Sequence, residues 1–169
     1  MGERDDGLPF RRSRQLVRRS GPARAFHCPL GELLAGISHF HWKMKKIQLV
    51  SDYIDSRQNE IHKYNKTYNV DKSLSINGRN MTNFGLFRKY ITNYLENYPG
   101  LNKDMILLCR QLQPTAQGMP LEIYTFSKDQ RFEQYEYIMA DIFDHIIASI
   151  VYFDLEIYEM PSDKSNFTL

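Results

Sequence analysis

The residue inventory of this chain changes at Trp42, and that change limits how much of the chain can share one fold. Residues 1–42 hold no lysine and no tyrosine; seven arginines (Arg4, Arg11, Arg12, Arg14, Arg18, Arg19 and Arg24) supply the positive charge, and five of the nine glycines fall here. After Trp42 come ten lysines and all eleven tyrosines. So sharp a seam gives residues 1–42 a different origin from the rest, and they are expected to be a disordered segment set apart from the fold. The functional alternative is a basic arm for nucleic acid or anionic lipid, built on Arg11, Arg12, Arg14, Arg18 and Arg19. Against it, the arm has no interleaved aromatics and no repeat. The apolar part near Leu30 to Ile37 is too short and interrupted for a secretory signal.

From Lys43 onward the chain is long enough for one domain with a modest core. Hydrophobic residues at 42% and charged residues at 25% are ordinary for a folded protein, and a net charge of +2 argues for no polyanionic partner. Cys28 and Cys109 form no metal-ligand or redox spacing, and Cys109 reads as a reduced core residue. The best apolar stretch, Ile142 to Phe153, contains Asp144 and His145 and stops short of the roughly 18–20 residues a spanning helix needs.

Periodicity divides residues 43–161. Met44, Ile47, Val50, Ile54, Ile61 and Tyr64 form a helical stripe, which predicts an amphipathic helix over 43–65. Residues 66–77 are polar and read as a loop. Thr82 or Asn83 can cap a second helix carrying Phe84, Phe87, Tyr90, Ile91, Tyr94 and Leu95, which stops at Tyr98-Pro99-Gly100. Strands are expected over 105–113 and 121–127, with Pro114 to Pro120 as the connecting loop. A long helix over 129–153 carries Phe132, Tyr135, Ile142, Ile146 and Ile150. A last strand over 155–160 precedes Pro161, and residues 162–169 form a polar, frayed tail.

The expected fold class is α+β: two helices on one face of a three-stranded, mainly antiparallel sheet, plus an extra N-terminal amphipathic helix. One more strand ahead of Asn83 would complete the βαββαβ order of a ferredoxin-like sandwich, so the motif is read as incomplete; residues 72–77 offer a weak substitute. A three-stranded sheet with an open edge invites pairing with another chain.

Chemistry-bearing constellations are sparse. Asp141 and His145 lie four apart on one helical face, a spacing that can hold a metal, but a third ligand is missing; no metal and no cofactor is expected. Arg79 and Arg88 flank a capped helix start and could hold an anion there; pairing with acids such as Glu122 or Glu136 is the favoured reading. Tyr124, Phe126 and Arg110 on adjacent strands suggest RNA stacking, yet the Lys/Arg-Gly-aromatic strand of that module is absent. No glycine-rich phosphate cradle, nucleophile elbow or Cys/His pair supports catalysis, so neither an enzyme nor a nucleic-acid partner is expected.

Three blocks carry a resemblance: Asn77-Gly78-Arg79-Asn80-Met81-Thr82-Asn83-Phe84-Gly85-Leu86-Phe87-Arg88-Lys89-Tyr90; Arg110-Gln111-Leu112-Gln113-Pro114 with Gly118-Met119-Pro120-Leu121-Glu122-Ile123-Tyr124; and Tyr135-Glu136 leading to Asp141-Ile142-Phe143-Asp144-His145. In this order they resemble the C-terminal cytoplasmic region of miniconductance (YbdG-type) mechanosensitive channels of the small-conductance superfamily. The resemblance runs from about Lys43 to Pro161. It implies a ferredoxin-like domain that joins a homo-oligomeric, heptameric cytoplasmic vestibule beneath a pore in the bacterial inner membrane. In the intact protein, tension opens that pore and releases ions and osmolytes. The pore helix and the β-domain of the family have no counterpart here, so this chain reads as N-terminally truncated. Alone it is expected to be cytoplasmic, without direct membrane insertion, and unable to conduct. Its partners would be further copies or full-length channel subunits. Expected subunit contacts are Arg79, Asn83, Arg88, Arg110, Gln111, Glu122 and Tyr124. A free-standing ferredoxin-like regulatory or small-ligand-binding module is the alternative.

Overall fold

The computed structural model describes residues 13–18, 43–74, 76–115 and 118–158. In chain order the elements are β1 (Ser13–Arg18), α1 (Ser51–Thr67), α2 (Asn83–Asn97), β2 (Leu108–Gln111), β3 (Met119–Tyr124), α3 (Phe132–Ile150) and β4 (Glu156–Ile157). The class is α+β, with helices packed on a small antiparallel sheet.

The core is built by α2, α3 and the β2–β3 hairpin. Helix α2 is capped by Thr82, whose Oγ1 accepts from the Gly85 amide at 3.1 Å, and it turns Leu86, Phe87, Tyr90, Ile91 and Leu95 inward. Helix α3 contributes Ile142, Ile146 and Ile150 at helical spacing. The hairpin supplies Cys109, Leu121 and Ile123 from one sheet face, and β3 is buried on its other face too, with Glu122 enclosed there. Phe153 closes the cluster against Phe87 and Tyr90, each ring pair at 5.1 Å.

β2 runs antiparallel to β3 with Arg110 opposite Glu122, and the strand order is β2-β3-β1-β4. β1 pairs antiparallel with β3 (Gln15 opposite Leu121) and with β4 (Val17 opposite Ile157). Ser13–Arg18 therefore adds a strand that the three-stranded expectation lacked, and residues 72–77 are turn and loop, not an edge strand. Residues 1–12, 19–42 and 159–169 lie outside the described residues, and with them most of the expected disordered segment and the polar tail.

The first helix departs from its expected span. It begins at Ser51, because i→i+3 bonds from Lys46 to Lys43 and from Ile47 to Met44, then a 3-10 turn over Gln48–Val50, bend the chain. The bend lets both Met44 and Val50 enter the core. Beyond it, Ile54 is the buried residue of α1. The helix ends with Asn69 in the left-handed region (φ 47°), its amide donating to the Lys66 carbonyl.

The return loop folds back on the end of α1. Asn65 clasps Arg79 through both ends of its amide: Oδ1 accepts from the Arg79 amide at 2.9 Å, and Nδ2 donates to the Arg79 carbonyl at 3.1 Å. Gly78, at φ +67°, passes so close that a Cβ there would lie 2.3 Å from Asn65 Oδ1. Within the loop, Lys72 Nζ donates to the Asn77 carbonyl and to Asn80 Oδ1, and the Asn77 amide donates to the Leu74 carbonyl. This polar frame holds Leu74 and Ile76 outward, 62% and 76% exposed.

Candidate interaction surface

The residues expected to make contacts fall into three places. On the hairpin, Arg110 Nε donates to Glu122 Oε2 at 2.6 Å, and Glu122 is 4% exposed while the arginine faces solvent. A carboxylate so buried needs this cation; removing Arg110 would leave it unpaired. Tyr124 meets Phe126 edge to face at 5.3 Å. At the β2 edge, Arg88 Nη1 donates to Gln111 Oε1 at 3.4 Å, so α2 is tied to the open strand. The third place is the start of α2. There Asn83 Nδ2 reaches the carbonyls of Phe153 and Asp154 at 3.1 and 3.2 Å, joining α2 to the 3-10 turn that follows α3. Arg79 lies over the Tyr64 ring at 4.9 Å, a cation–π contact. Arg110, Gln111, Glu122 and Arg88 are thus brought together around the hairpin, with Arg79 and Asn83 elsewhere. The suggested acid partner Glu122 is held by Arg110, not by Arg79 or Arg88.

Asp141 and His145 do share a helical face, and tyrosines occupy both. Tyr90, Tyr94 and Tyr98 repeat every fourth residue on α2 and mesh with Asp141, His145 and Ser149 on α3. Tyr90 Oη and His145 Nε2 lie 2.7 Å apart. The Tyr94 ring stacks on the imidazole with centroids 3.8 Å apart and planes 6° from parallel. Tyr98 donates to Asp141 Oδ2 at 2.8 Å. Burial raises the Tyr94 phenol to about 12, and the Asp141 charge adds to the shift. Tyr98 is also raised to about 12, by burial and then by its bond to Asp141. Tyr90 is raised by burial, which its Ser149 hydrogen bond opposes. Among the described residues no three His, Cys, Asp or Glu side chains gather as a metal site would require.

Beside the Tyr90–His145 pair lies an open hollow of about 280 Å³, lined by Ile47, Tyr90, His145, Ala148, Ser149, Tyr152 and Phe153. Its volume falls just under the range of about 300–1,000 Å³ typical of small-molecule sites. Ile147, Val151 and Tyr152, all exposed, sit on the same stretch of chain as the hollow's lining. Neither this hollow nor the tyrosine comb was singled out from the sequence, although the fourfold spacing of the three tyrosines was there to be matched against Asp141 and His145.

Burial drives the Cys109 thiol up to about 12, against the opposing influence of Arg88 and of the Thr92 hydrogen bond. It has the character of a core side chain, not of a nucleophile. No model of a known protein family matches the chain, and no solved structure matches its fold.

Proposed function

We propose that this chain is the vestibule and assembly domain of a mechanosensitive channel of the small-conductance superfamily, acting through contacts between subunits. The motif blocks spanning Asn77 to His145 suggest the family. One observation of the geometry favours an assembly role: the polar residues of those blocks are spent on links between elements. Asn83 joins α2 to the 3-10 turn after α3, Arg88 joins α2 to β2, Arg110 neutralises Glu122, and Asp141 and His145 hold α3 to α2. The order β2-β3-β1-β4, antiparallel throughout, supports a ferredoxin-like plan whose edges are β2 and β4. Such edges can pair with another chain. No described helix is long and apolar enough to cross a membrane, so conduction is not assigned to these residues.

The alternative, a free-standing ferredoxin-like module for a small ligand, draws on the hollow beside Tyr90 and His145. Size-exclusion chromatography with light scattering separates the two. A ring-sized species supports the assembly domain; a monomer at every concentration, stabilised by a small aromatic or aliphatic solute, supports the ligand module.

A further inference from the structure

Residues 1–42 carry seven arginines, and two of them belong to β1. β1 pairs antiparallel with β3 on one side and with β4 on the other. The register sets Arg14 opposite Glu122 and Arg18 opposite Glu156, with Leu16 between them opposite Pro120. Opposite residues of an antiparallel pair have Cβ atoms about 4.5–5.5 Å apart, near enough for unlike charges to attract. Glu122 is buried, and its Oε2 accepts from Arg110 on β2. A carboxylate has a second oxygen and room for more than one donor, and the position of Arg14 lies on its other flank in the strand order.

β3 and β4 do not pair with each other. β1 separates them, so they bound a gap of two strand spacings, about 9.6 Å, which is one strand wide. Both walls are anchored by other means. β3 is held by β2 and by Leu121 and Ile123 in the core, and β4 follows the buried Leu155. No hairpin ties β1 to either wall: its β3 partners lie more than a hundred residues further on, and the described chain resumes after Arg18 only at Lys43. It also stands on the side of the Trp42 seam that has no lysine and no tyrosine.

We infer that the β3–β4 gap is a binding slot for an extended segment with arginine at i and i+4 and an aliphatic residue between them, and that β1 is its resident occupant, able to leave. The backbone of both walls gives such a segment its affinity, as in other cases of strand addition. The two glutamates give it register. A slip of one residue moves both arginines to the other face of the sheet and sets uncharged positions opposite Glu122 and Glu156. A strand with acids at the same two places is repelled, so the slot also refuses partners. The arginines of β1 thus answer acids of this same chain, and a polyanion is not needed to account for them. The inference is independent of the assembly reading and holds for a single copy.

The test uses the full chain with β1 disabled by Leu16→Pro, because proline cannot donate to the ladder of a central strand. The probe is a fluorescent peptide of residues 11–20, read by anisotropy. It is expected to bind the Leu16→Pro chain, and wild type at least about tenfold more weakly, because tethered β1 already fills the slot. Arg14→Glu with Arg18→Glu in the peptide is expected to weaken binding by at least about tenfold, and Glu156→Arg in the chain to recover part of that loss. A peptide in which Arg14 and Gln15 trade places, and Val17 and Arg18 likewise, keeps its charge and loses the register; it is expected to bind as weakly. Circular dichroism and amide protection of α2 would verify the fold of the variant. If Leu16→Pro does not fold, the chain with Arg14→Glu and Arg18→Glu takes its place. A chain that unfolds in both forms makes β1 part of the global unit and overturns the inference. So does a folded variant that binds no peptide, or one that binds it no better than wild type does. Equal binding of the register-shifted peptide reduces the attraction to net charge and overturns the inference as well.

Discussion

Helices α1 and α2 are close in length, yet they belong to the fold in different ways. α2 turns five side chains into the core and is fastened at both ends, by the Thr82 cap and by Asn93 reaching the Leu49 carbonyl at 2.5 Å. α1 buries Ile54 in its first turn and then leaves the core; its far end is held by the Asn65–Arg79 clasp. In α2 the order comes from desolvated apolar area, which is large and cooperative. In α1 it comes from a few local hydrogen bonds, each worth about 1 kcal/mol net. The same secondary structure can thus be part of the global transition in one place and a locally opening unit in another.

Substitutions should separate the two regimes. Phe87→Ala empties a fully buried site packed on Phe153 and Tyr90; it should cost about 3–5 kcal/mol in chemical denaturation, whereas Ile61→Ala on α1 should cost about 0.5 or less. Asn65→Ala should lower protection against amide exchange in the last turns of α1 and in the loop by about 1–2 kcal/mol, with little change in the global midpoint. Equal loss across α2 would show that the clasp belongs to the global unit after all.

Alkaline pH acts on the tyrosines of α2 and on Cys109 beneath that helix. Tyr94 and Tyr98 hold their protons up to about 12 in the folded chain, against 10.0 for an unperturbed phenol. A raised folded pKa stabilises fully below pH 10, and that contribution is lost as pH rises from 10 toward 12. Both rings keep some solvent access, so the loss should be modest. Tyr94→Phe with Tyr98→Phe should reduce it, leaving the part due to Cys109, as read by melting temperature against pH. The smallest effect expected is a gain. Thr125 is fully buried with no hydrogen-bond partner for its hydroxyl among the described residues, so Thr125→Val should stabilise by about 0.5–1 kcal/mol.

What could be read in the sequence follows the same division. The span of α2, its Thr82 cap and its stop before Pro99 depend on local stereochemistry, and they stand where the spacing puts them. Strand ends depend on pairing and moved. Met105 to Leu107 fall outside β2, behind a turn in which the Asp104 amide donates to Asn102 Oδ1; Phe126 and Ser127 fall outside β3, where Ser127 makes an isolated bridge to Leu101. Ser13–Arg18 was out of reach, because two arginines among six residues mask any alternation and its partners lie over a hundred residues away. At the interaction surface, the Asp141 and His145 spacing was legible. That tyrosines of α2 would meet it depends on how α2 and α3 are aligned.

Cys109 gives the molecule an internal clock. Burial holds the Cys109 thiol in its protonated, unreactive form well above neutral pH while the chain is closed. It is packed under Arg88 and Thr92 of α2, so it becomes reactive when that helix lifts from β2. With Cys28 changed to serine, the half-time of alkylation at Cys109, at reagent concentrations where alkylation outpaces reclosing, would measure how often α2 parts from the sheet.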